Sequence, residues 1–187
     1  FDVMDQKFQN DSMPWFNAEN FADHRFRRLK SAFENPILEP VLLIHNASIQ
    51  LFTEFNKLLQ RSEPTIHVLQ GAMLGLARKI ANRIVKPEFI KDAEIVHLDL
   101  SDLEIFKPNK SIFLGGITKP TLDRLLNEGD IAELLYQRYH TAAHCYFERS
   151  LDYILRKFPL KDDLIKNAVW IDVPNRIGHQ WENVQYF

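Results

Sequence analysis

His140, His144 and Glu148 follow one another at four-residue intervals, and Cys145 stands beside the second histidine. On a helix, two histidines one turn apart can hold a single zinc ion, so His140 and His144 are the candidate metal ligands of this chain. A metal site needs a third ligand and usually a fourth. A helix drifts by about 40° over four residues, which turns Glu148 away from an ion held by the two histidines. The competing and blander reading is a partly buried helix whose histidines hydrogen-bond to neighbours, and no metal or other cofactor is expected. Nucleophile elbows, phosphate-binding loops, dinucleotide fingerprints and His-Glu-x-x-His zinc motifs are all absent from the sequence. Acidic pairs such as Asp162-Asp163 and Asp99-Asp102 fall at capping or surface positions rather than as acid/base pairs. No catalytic residue is assigned.

The second chemistry is phosphate contact. Lys79, Arg83 and Lys86 recur on one side of a helix, with Arg78 beside them and Ile80 and Ile84 facing the other way. Arg25, Arg27, Arg28 and Lys30 cluster further upstream. Such cations neutralise a nucleic-acid backbone, and aromatics such as Trp15, Phe16 or Trp181 stack on bases. The alternative is a solvated helix face, since every amphipathic helix puts something polar outside.

The elements that must carry these residues are mostly helices. Helix is expected from Asn17 or Asn20 to about Glu34, then from Pro36 or Pro40 to about Gln60, where Val41, Ile44, Ser48, Phe52, Phe55 and Leu59 form an apolar stripe widened by Leu51 and Leu58. "LLQRSEPTIHVLQ" breaks at Ser62-Glu63-Pro64 and begins another helix with Ile66, Leu69, Met73, Leu76, Ile80 and Ile84 inside, stopping before Pro87. Val96, Leu98 and Leu100 alternate with His97 and Asp99, which predicts a small extended or short β insert around residues 94–116. Helix resumes over 118–127. A long helix then runs from a capping box at Asp130 and Glu133 to Phe158, with Leu134, Leu135, Ala142, Cys145, Tyr146, Ile154 and Phe158 as its packing side. The fold class is therefore mainly α, an irregular helical bundle: an extended segment over 1–16 and a single helical domain over 17–187.

The chain has 187 residues, 45% of them hydrophobic, a formal net charge of -2 and one cysteine. It is long enough for a real core, and its charge balance directs it as a whole toward neither nucleic acid nor membrane. A lone cysteine fits a reducing compartment. The start at Phe1 rather than methionine suggests a fragment or a processed chain.

Five stretches in order, "LFTEFNKLLQRSEPTIHVLQ", "IVKPEFI", "IFLGG" followed by "LLNEGDI", "CYFERSLDYILRKFPLKDDLIKNAVWIDV" and "WENVQYF", resemble the helical region of transposase-derived proteins of the hAT superfamily, the kind found behind BED-type zinc fingers. The resemblance covers roughly residues 26 to 187. It implies a non-catalytic helical insertion of an RNase H-like parent, nuclear, with DNA contact at its edges, for which the basic residues Lys79, Arg83, Lys86 and Arg78 are the candidates. Trp15 in "MPWFN" stands near the place of a tryptophan that handles the DNA end, although Pro14 replaces the arginine before it. No acidic residue here matches the family's catalytic carboxylates. The alternative is a domesticated segment that has lost DNA binding and serves as a protein-interaction scaffold for other subunits or chromatin proteins.

Overall fold

The computed structural model describes residues 24–90 and 95–171, which form mainly helices in two compact units, one ending at Leu38 and the other beginning at Glu39. The segment over 1–16, with Trp15 and Phe16, and Trp181 lie outside the described residues. In the first unit, α1 (His24–Phe33) carries Arg25, Arg27, Arg28 and Lys30, while Leu29 and Phe33 stay exposed.

The second unit is built around α3 (Ile66–Ile84), where Met73, Leu76, Ala77, Ile80, Ala81 and Ile84 are buried. Their three-and-one spacing makes a wide apolar face, and the two alanines let neighbouring elements come close. α2 (Leu38–Leu59) precedes it and buries only Pro40, Ile44 and Ser48, all in its first half. The stripe expected along the whole of α2 is therefore fully buried only at its start, while Leu51, Phe52, Phe55 and Leu58 are half-buried and Leu59 is exposed. α3 lies antiparallel to α2, because Lys79 meets Glu54 while Arg83 meets Ala47.

The middle departs from expectation. Instead of an extended or β insert, the chain makes single 3-10 turns at Ile95–His97, Leu103–Ile105 and Asn109–Ser111, and among the described residues its β content is one isolated bridge, Val85 to Phe106. The physical reason is the end of α3, whose last carbonyls need donors. Lys107 Nζ donates to Asn82 O at 2.6 Å, Phe113 N to Arg83 O at 3.0 Å and Lys107 N to Ile84 O at 2.7 Å. The insert wraps a helix terminus, so its hydrogen bonds go to α3 rather than to a partner strand.

After the insert come α4 (Thr118–Glu128), α5 (Glu133–Lys157), α6 (Asp163–Asn167) and a 3-10 turn at Ala168–Ile171. Gly129, at φ 81°, ends α4 in the left-handed conformation and hands its N–H to Leu125 and Leu126. The expected capping box is absent: the N-cap of α5 is Ala132, with no side-chain cap, and Glu133 instead accepts from Lys110 and Gln137.

The inward face of α5 also differs. Tyr136, Tyr139, His140, Ala143, Phe147, Leu151 and Ile154 are buried, whereas Leu134, Leu135, Ala142 and Cys145 are exposed. The tyrosine and phenylalanine side packs inward, and the other apolar residues are left outside. α5 runs parallel to α2. Tyr139 Oη donates to Pro40 O at 2.6 Å, His45 meets the Tyr146 ring at 5.9 Å, and Phe55 stacks on Phe158 at 5.3 Å, with both numbers rising together.

Candidate interaction groove

His140 is fully buried. Its Nδ1 lies 3.0 Å from Asn109 O, so that nitrogen carries the proton and donates, and Nε2 faces the interior with no hydrogen-bond partner among the described residues. Tyr136 and Tyr139 pack around the ring. Their hydroxyls are tied to Asp123 Oδ1 at 2.8 Å and to Pro40 O, and burial pushes both phenols up, Tyr136 to about 12. His144, one turn on, sits edge-on to Phe106 and 3.5 Å from Glu148 Oε2. Burial lowers the pKa of both histidines, although the Asn109 carbonyl and Glu148 pull the other way. Among the described residues no three His, Cys, Asp or Glu side chains gather where one ion could be held. What the geometry makes of these histidines is packing and hydrogen bonding between α5 and the insert.

The basic strip does not survive folding as one surface. Lys79 is exposed but paired with Glu54 at 2.8 Å. Lys86 Nζ donates to Glu104 O at 2.6 Å. Arg83, expected to face solvent with them, is only 6% exposed. Its guanidinium lies 4.9 Å from the Phe147 centroid and 5.3 Å from that of Phe113, and Nη2 donates to Ala47 O at 3.0 Å. The correction has a simple cause. Arg83 stands at the turn of α3 that the insert covers, and Phe113 closes over it. Among the described residues no carboxylate accompanies the buried cation, and desolvation lowers its pKa. Arg78 is half-buried on the same helix. The four residues therefore present separate environments rather than one cationic face.

A different surface emerges where α2 and α5 fail to cover each other. An apolar groove of about 820 Å³ opens between the second half of α2 and the outer side of α5, with Leu76 of α3 on its floor. Phe52 and Leu59 form one wall, and Ala142, Cys145 and Tyr153 the other. The Phe55–Phe158 stack and the His45–Tyr146 contact hold the two helices together along it. Both rims stay apolar in solvent: Leu59 is 50% exposed and Tyr153 57%. Among the described residues no acidic side chain lines the groove, and its one charged lining residue is Arg149.

Sequence reasoning assigned Phe52, Phe55, Leu59, Ala142, Cys145 and Tyr146 to packing sides and did not single out Tyr153. The signal that could have found the groove was an excess: α5 carries more apolar positions than one helical face can bury, and so does the second half of α2. Two stripes on one helix mean that one of them is left over.

No family model, curated protein or solved structure matches the chain. The likeness to hAT transposase-derived proteins thus rests on its five ordered stretches, and the groove is read from its own geometry. No helix among the described residues is long and apolar enough to cross a membrane.

Proposed function

We propose that this chain is a non-catalytic helical domain of a hAT transposase-derived, nuclear protein and that it works as a protein-interaction scaffold through the α2–α5 groove. The observation that carries this reading is the uncovered apolar trough with half-exposed Leu59 and Tyr153 along it. Exposed apolar surface of this kind, ringed by polar residues, is what protein interfaces use. The loss of the cationic strip removes the strongest competing feature of the same unit. A photo-crosslinking residue placed at Ala142 in cells should give a discrete protein adduct. The same residue at exposed Lys119, on α4, should not. An absence of adducts at Ala142 overturns the reading.

DNA contact is the second reading, and α1 favours it. Arg25, Arg27, Arg28 and Lys30 sit within two turns, and the arginines are exposed. Titration of a labelled hairpin-ended duplex at low and physiological salt tests it. Binding that falls steeply with salt and is lost on Arg28→Glu, but survives Lys79→Glu, would place DNA on α1.

A further inference from the structure

We propose that the occupant of the α2–α5 groove is an acidic amphipathic helix of a partner protein, an assignment that rests on the interaction reading above. Three observations converge on it. The first is shape. The lining residues of α5 run from Ala142 to its C-cap Phe158, a rise of sixteen residues or about 24 Å of helix. That is the length of a partner helix of four to five turns, and a trough between two parallel helices is the surface into which such a helix lays its apolar side.

The second is the extent of the rims. On α2 the stripe Ile49, Phe52, Asn56 and Leu59 recurs every three or four residues, and on α5 Leu135, Arg138, Ala142, Cys145, Arg149 and Tyr153 do the same. Apolar anchors spaced three and four apart on an incoming helix meet both stripes in register. The exposed apolar rims continue past the cavity itself, so an occupant confined to the cavity would leave them wet.

The third is charge. Lys79, Lys110, Arg124, Arg156 and Lys166 each have a carboxylate partner. Arg149 lines the groove, and Arg138 lies about three turns before it on the same stripe of α5; both are exposed and take part in no ion pair among the described residues. An arginine beside an apolar wall lays its methylenes on that wall and offers a planar fork to a carboxylate. Two forks eleven residues apart on one rim select a helix with carboxylates flanking its apolar anchors, roughly three turns from one another.

The test is a display library of eighteen-residue helices with fixed leucine anchors and each flanking position randomised between Glu and Lys. It is selected on the full 187-residue chain, and on Ala142→Trp, which fills the groove. Glu should be enriched severalfold over Lys at flanks on the α5 side, roughly two- to fivefold per position for partly exposed pairs. Enrichment should vanish on Ala142→Trp, and Arg138→Glu with Arg149→Glu should turn the preference toward Lys. Groove-dependent binders with no charge preference, or with Lys preferred, overturn the acidic assignment but leave the interaction reading standing. No groove-dependent binder at all also overturns the assignment, and the crosslink at Ala142 then decides the interaction reading by itself.

Discussion

The guanidinium of Arg83 lies 4.9 Å from the ring centroid of Phe147, joining the end of α3 to the middle of α5 across the core. A cation buried without a counterion among the described residues is held by aromatic faces and one carbonyl, the Ala47 oxygen of α2. Three helices and the insert therefore converge on one side chain.

Replacing it separates packing from charge. Arg83→Ala should cost roughly 2–4 kcal/mol through lost contacts with both rings and the unmade bond to Ala47. Arg83→Met keeps the volume and removes the desolvated charge, so it should lie within about 1.5 kcal/mol of the parent. Urea denaturation of the two variants compares them, and a Met variant as damaged as the Ala variant would mean that the charge itself is needed.

Stability should fall on acidification. His140 and His144 both have folded pKa values below their ordinary 6.5, because burial opposes the charged ring. The unfolded chain then binds more protons, so the contribution is complete above pH 6.5 and is lost as pH drops from there through the folded values. Imidazole NMR titration should find both midpoints below 6.5, and His140→Leu should flatten the pH dependence of the unfolding midpoint.

Two glycines should respond in opposite directions. At Gly115, with φ 126°, an added Cβ would meet Ala47 Cβ at 3.0 Å and Thr118 Oγ1 at 3.1 Å. Gly115→Ala should therefore cost about 1–3 kcal/mol. At Gly75, in the interior of α3, an added Cβ would meet nothing within 4 Å, so Gly75→Ala should add roughly 0.5–1 kcal/mol. Thermal melts of both variants give the signs directly.

The groove rim should be dispensable for folding. Leu59→Ser and Tyr153→Ser remove half-exposed apolar groups and should move stability by no more than about 0.5 kcal/mol each. The crosslink from Ala142 should nevertheless weaken in both. A large drop in melting temperature would instead show that these side chains are structural.

Helix identity and extent were legible from local pattern. The 3.6-residue recurrence of Met73, Leu76, Ile80 and Ile84, the break at Pro64 and the stop before Pro87 each depend on nearby residues alone, and α3 spans Ile66–Ile84 accordingly. Mainly helical architecture follows from the same signals repeated along the chain. Three features depended on partners distant in sequence. The carbonyls at the end of α3 drew the 95–113 segment into 3-10 turns, although Val96, Leu98 and Leu100 alternate as a strand would. Phe113 and Phe147, thirty and sixty-four residues away, turned Arg83 from a surface cation into a core one. α5, with apolar residues on two sides, had its inward face chosen by what packed against it, leaving Ala142 and Cys145 to the groove. Periodicity states that a face is apolar. Which of two such faces is buried is an energy comparison between whole packings, and only the assembled helices contain both sides of it.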